Sequence, residues 1–166
     1  MSERYPGNDI HETAIIYEGV LMGTGNTIGP YCIIGGPPEW RGHYESSGRV
    51  VIGDGNRFTK LVTIDSGANR LTLIGDGCTL LAGAHVGHDV QIGDGVTISC
   101  HALIGGNSMV GAGCNFGLGA VMHQGVYLPP RCMVGMNTTI TKKTPLEEGV
   151  KYVGSPARIL GPNVRT

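Results

Sequence analysis

A period of six residues governs this chain. From Ile74 the sequence divides into consecutive hexads without a gap, opening on Ile74, Leu80, Val86, Ile92, Ile98, Ile104, Val110, Phe116, Met122, Leu128, Val134 and Ile140. Every one of these is apolar. The fifth positions, from Cys78 and Ala84 through Cys132 and Thr138, are small or β-branched, and the second position is glycine in seven of the twelve units. The same phase runs earlier through Ile10, Ile16, Met22, Ile28 and Ile34, and again through Ile52, Phe58 and Ile64. A short fixed repeat with a turn residue in each unit is the mark of a β-solenoid. Three hexads close a triangular coil of 18 residues, with first positions inward, small fifth positions at the corners and glycine supplying the turn dihedrals. The expected fold is all-β: a single-stranded left-handed parallel β-helix of hexapeptide repeats with a short C-terminal tail.

Composition agrees with a thin core. Of the 166 residues, 29 are Gly, well above the usual ~7 %, and aromatics make up only 5 %. The formal net charge of −1, without any run of Lys or Arg, excludes an electrostatic nucleic-acid footprint. No apolar run reaches membrane-spanning length, and the start lacks a signal peptide, so a cytoplasmic location is expected. Cys32, Cys78, Cys114 and Cys132 occupy fifth positions with no CxxC pair, which reads as reduced structural thiols.

Two places break the phase. Residues 36–50, which carry the only Trp, Trp40, must leave the coil as a loop, and a smaller slip lies near Ala68 to Leu73. The reading is a β-helix over 1–145 with that loop inserted, then a tail over 146–166 that caps the exposed sheet edge.

Coil arithmetic also locates a site. Residues 18 apart stack, so His88 lies under Gly106 and Gly106 under Gln124, while Asp89 lies under Asn107 and Gly87 and Gly105 lie beneath His123. His88 to Gln124 spans two coils, roughly 9.6 Å, with glycines leaving open space between them; His85 ends the adjoining strand. A neutral imidazole suits removal of a hydroxyl proton at neutral pH. Asp89 could orient it, and the Gly106 amide could hold an oxyanion. No Ser or Cys nucleophile is in the cluster, so direct attack by an acceptor hydroxyl is the simpler chemistry. Asn107 reads equally well as a turn-stabilising ladder. His11, His43 and His101 read as solvated, and no metal site is expected from His85, His88 and His123 because their spacing is wrong for one.

The segment Ala84-His85-Val86-Gly87-His88-Asp89 resembles the UDP-N-acetylglucosamine O-acyltransferases of lipid A biosynthesis. So do Ile28 to Gly35, Val62-Thr63-Ile64, Ala120-Val121-Met122-His123-Gln124 and Leu160-Gly161-Pro162-Asn163. The resemblance implies a homotrimer with sites between subunits and a 3-hydroxyacyl group delivered on acyl carrier protein. His88 would then be the base for the sugar 3-hydroxyl, Asp89 its support and Gly106 the oxyanion donor. His85, Asn107, His123, Gln124 and Asn163 would be substrate contacts, and Met136 a limit on acyl length. No cofactor is implied; the donor, on carrier protein or coenzyme A, is a substrate. Asn107 and Asp65 stand where the family usually has histidine. The family also continues into a C-terminal helical domain, whose basic residues are expected to be missing from a sequence ending at Thr166. Two alternatives stay open: an acetyl-CoA-dependent sugar O- or N-acetyltransferase, and a non-catalytic trimeric scaffold.

Overall fold

The computed structural model describes residues 4–41 and 49–164, and among these there are only short strands and turns, wound as a parallel β-helix. Three sheets form its faces. The first has nine strands, from Asp9–Ile10 to the terminal pair Val150–Val153 and Arg158–Pro162. The second has seven, from Ile15–Ile16 to Thr139–Ile140, and the third six, from Val20–Met22 to Tyr127–Leu128. Leu80 pairs with Ile98, Ile98 with Phe116 and Phe116 with Val134, so the coil length is the expected 18 residues.

First and fifth hexad positions fill the interior. Leu80, Ile98, Phe116 and Val134 are fully buried on one face, and the corners are lined by Cys78, Ala84, Val96 and Cys114, also at zero exposure. All five cysteines are free thiols.

The turn chemistry differs from the expectation. The residue with positive φ is the fourth of each hexad: Gly77, Gly83, Asp89, Gly95, His101, Asn107 and Gly113 all lie between 57° and 71°. The seven second-position glycines from Gly75 to Gly135 do not use that freedom. They are needed because the next coil passes too close for a side chain: a Cβ at Gly87 would sit 2.9 Å from the amide nitrogen of Gly106, and one at Gly105 would sit 2.6 Å from that of Gln124.

Two coils are longer than the rest. Thr27 pairs with Arg57 and Arg57 with Thr79, steps of 30 and 22 residues. Both surpluses fall between the second and third sheets, after Ile33–Gly36 and after Thr63–Asp65. Gly36, expected in the first loop, is the end of a strand, and Val50 begins the next. Residues 42–48 of that loop, His43 included, lie outside the described residues. Continuing round the spiral, this same corner is where His88 and Asp89 lie.

At the far end, Val150–Val153 still pairs in parallel with Met133–Val134, so the last coil runs past residue 145. Arg158–Pro162 then folds back antiparallel on it. Tyr152 fills the end of the core with zero exposure, its hydroxyl donating to the Glu147 carbonyl at 3.0 Å and accepting from the Glu147 amide at 2.7 Å.

Candidate active site

Vertical registry brings the predicted polar residues to one corner. His85 pairs with Leu103 and Leu103 with Val121, and the amide of Asn107 donates to the His88 carbonyl at 2.8 Å. A cavity of about 350 Å³ opens there, lined by His85, His88, His123 and Gln124, by the backbone of Gly87, Gly105 and Gly106, and by Glu39 and Asp65.

His88 is only 7 % exposed, and its Nδ1 lies 2.8 Å from Oδ2 of Asp89. Asp89 is fully buried and sits at φ 60°, a backbone geometry that a short polar side chain tolerates. Its other oxygen, Oδ1, accepts from the amides of Ala68, Asn69 and Arg70 at 3.0, 2.9 and 2.7 Å. Its own amide donates to Thr72 Oγ1 at 3.0 Å. Burial pushes the Asp89 carboxyl up, but the His88 hydrogen bond and the Arg70 and Asn69 amides outweigh it and hold the group below its ordinary value. An ionised Asp89 places the proton of a neutral His88 on Nδ1, leaving the Nε2 lone pair as the basic site. That Nε2 lies where a Cβ on Gly106 would come within 2.6 Å, so only glycine lets the ring occupy this place.

A second acidic group lines the cavity. Asp65, 7 % exposed, lies 3.9 Å from Nε2 of His85 and accepts from the Glu39 amide at 3.3 Å. Burial pushes its carboxyl above the ordinary range, with His85 opposing. Nδ1 of His85 is 2.8 Å from Thr63 Oγ1.

Three predicted contacts are not in this cavity. Asn107 is an exposed turn residue at φ 58°, with its backbone between the His88 carbonyl and the Arg70 side chain. Met136 is 67 % exposed on the corner between the first and second sheets, a different edge from that of His88. Asn163 ties its side-chain amide to the Arg131 carbonyl at 2.8 Å, at the third corner. In each case coil phase sets the edge that a residue reaches, and for Met136 and Asn163 that phase differs from the phase of His88. Conversely, the two insertions bring in groups whose site roles sequence reasoning did not assign: Glu39 on the cavity wall, where it joins Asp65 from the strand Thr63–Asp65, the 68–70 amides behind Asp89, and Trp40, stacked on His88 with ring centroids 5.9 Å apart. The signal was present in the two phase slips, since both fall at the corner that His88 occupies. Among the described residues, no three His, Cys, Asp or Glu side chains are grouped to hold a metal.

Beside this cavity lies a larger one of about 540 Å³, sharing His123 and lined by Thr141, Lys142, Lys143, Thr144, Pro156 and Ala157. Ile140 pairs with Met122, so Lys142 stacks on Gln124 and continues the column that begins at His88.

Comparison with known proteins points the same way. Residues 72–106 match the family described as bacterial transferase hexapeptide (six repeats). An acyl-[acyl-carrier-protein]–UDP-N-acetylglucosamine O-acyltransferase of Anaeromyxobacter sp. (strain Fw109-5) is 38 % identical over 74 residues, 43 % of this chain and 29 % of that protein. Among solved structures, a UDP-N-acetylglucosamine acyltransferase from Bacteroides fragilis superposes with TM-score 0.66 at 26 % identity, covering 95 % of this chain and 62 % of that one. One from Campylobacter jejuni gives TM-score 0.77 at 20 % identity, covering 96 % and 74 %, a likeness of fold. The first listed curated relatives are matched over only 29 % to 47 % of their own length. Residues 72–106 carry that hexapeptide signature, on a parallel β-helix like that of the UDP-N-acetylglucosamine acyltransferases.

Proposed function

We propose that this protein is an acyltransferase that moves a hydroxyacyl group from acyl carrier protein to the 3-hydroxyl of UDP-N-acetylglucosamine, with His88 as general base. The observation that carries this reading is the His88–Asp89 pair, in which Nδ1 is tied to a buried carboxylate and Nε2 is turned to the Gly106 backbone in a cavity. His88 Nε2 takes the proton of the acceptor hydroxyl as its oxygen attacks the thioester carbonyl. The Gly106 amide faces the developing oxyanion. Collapse breaks the carbon–sulfur bond, and the imidazolium returns its proton to the departing thiolate. Asp65, His85 and Gln124 offer hydrogen bonds to sugar hydroxyls, and Glu39 closes the wall.

The larger cavity suits the donor. A phosphopantetheine arm carries a phosphate and a long, partly apolar chain, which match Lys142 and Lys143 and the Pro156 and Ala157 walls. Because coenzyme A carries the same arm, acetyl-CoA-dependent transfer is the second reading, favoured by the same lysines.

A homotrimer fits the surface. Ile15, Ile33 and Leu103 point outward from the second sheet at 52 %, 37 % and 42 % exposure, and Leu118 and Met136 extend the apolar strip along its edge. Association covers such surface. Met136 meets a donor only across that interface.

Turnover with hydroxyacyl-carrier protein and with acetyl-CoA, measured in parallel on UDP-N-acetylglucosamine, tests the reading. Transfer from the carrier protein supports it; transfer from acetyl-CoA alone selects the second reading. A wild-type protein inert with both fits a scaffold.

A further inference from the structure

Three features of the fold surround the imidazole of His88. Asp89 holds its Nδ1 edge, Gly106 lies against Nε2, and Trp40 stacks on the ring with centroids 5.9 Å apart and an interplanar angle of 24°. Trp40 is brought there by the first insertion, which leaves the coil at Gly36. It is secured by the Ser66 amide donating to the Gly36 carbonyl at 2.8 Å and the Glu39 amide donating to Asp65. The titratable groups that share the site with this ring are Asp89 on its own turn, Asp65 and His85 on the second sheet, Glu39 on the insertion and His123 one coil beyond Gly105.

We propose that Trp40 is a positioning residue for His88: its indole face fixes the plane of the ring and stabilises the imidazolium formed when the base takes a proton. The separation is within the ~6 Å over which a cation is drawn to an aromatic face, and indole is the strongest of the aromatic acceptors. Asp89 alone leaves the imidazole free to swing about the Nδ1 bond; a stacked plane removes that freedom. A base must not only accept a proton but hold it until the thiolate leaves, and the indole lowers the energy of that intermediate state without adding a charge that repels an anionic donor. The catalytic consequence rests on His88 being the base; the pairing itself does not.

Because Trp40 is the only tryptophan, its emission reports on its neighbour directly. Imidazolium quenches indole fluorescence far more than neutral imidazole does. Wild-type emission is therefore expected to fall as pH is lowered through the titration of His88, and His88→Gln to give a flat trace. Replacement of Trp40 by leucine keeps an apolar cover but removes the π face. The His88 ring-proton NMR signals, assigned by comparison with His88→Gln, should lose the shift imposed by the stacked indole in Trp40→Leu and keep part of it in Trp40→Phe. A flat wild-type trace, an identical trace in His88→Gln, or unmoved His88 ring signals in Trp40→Leu overturns the proposal. None of these readouts needs turnover. If they hold and no acyl transfer is found, the pair stands and the transferase reading alone fails.

Discussion

The amide of Arg70 lies 2.7 Å from Oδ1 of Asp89, so the four residues that lengthen this coil from 18 to 22 create the seat for the carboxylate that orients His88. Three consecutive amides converge on that oxygen. Elsewhere in the spiral the turns are regular; at this corner regularity is given up to bury an anion beside an imidazole.

Substitution Asp89→Asn keeps the shape but replaces an acceptor-only carboxylate with an amide that can present N–H groups to Nδ1 and to the 68–70 amides. Turnover is expected to fall by about 10²–10⁴-fold with the chain still folded, by analogy with loss of the orienting carboxylate in histidine-based sites. Steady-state kinetics with circular dichroism as a folding control check it.

The two buried carboxylates should respond to pH with opposite sign. Asp89 has a folded pKa below its unfolded one, so its contribution to stability is present above the unfolded pKa of about 3.9 and is lost as pH falls through the folded value. Asp65 has a raised folded pKa, so it disfavours the folded state once ionised, and that penalty grows as pH rises through the folded value. Thermal melts are expected to show Asp65→Asn gaining Tm over wild type at pH 7 and losing the advantage by pH 3. The gap between wild type and Asp89→Asn should narrow over the same descent.

Gly106→Ala puts a methyl within 2.6 Å of His88 Nε2. The ring must give way, since its Nε2, Cδ2 and Cε1 atoms are the nearest to that methyl, at 2.6, 2.8 and 2.9 Å. Turnover should fall at least about 100-fold, while stability changes within the ~1–3 kcal/mol typical of overpacking. Urea unfolding alongside kinetics separates the two effects.

Much of the fold was legible because a solenoid is nearly one-dimensional: the inward face, the coil length and the His88–Gly106–Gln124 column all follow from counting in sixes. What counting could not supply lies where the count fails. Trp40, Glu39 and the 68–70 amides reach the site through insertions whose path depends on tertiary contacts, among them the Glu39–Asp65 hydrogen bond. Met136 and Asn163 came from likeness to a family rather than from registry in this chain, whereas Asn107 came from registry, which puts it at the right corner but exposed and outside the cavity. Glycine was read as a turn former at second positions, where its role is to let two backbones approach; the left-handed residue is two places further on, and at Asp89 it is not glycine at all.

Lys142 and Lys143 predict an anionic donor. Neither takes part in an ion pair among the described residues. The double replacement Lys142→Gln with Lys143→Gln should raise the KM for a phosphopantetheine thioester about tenfold, in line with loss of one charge-assisted hydrogen bond at ~1.5 kcal/mol. An unaltered KM would place the donor elsewhere.

If the imidazole of residue 88 removes the acceptor proton, the single-turnover acyl-transfer rate of His88→Ala beside wild type, at saturating donor and acceptor, reads that step directly. The rate is expected to fall by at least about 10²-fold, the usual contribution of a positioned base, with binding of both substrates retained. A variant that transfers the acyl group at the wild-type rate would contradict it.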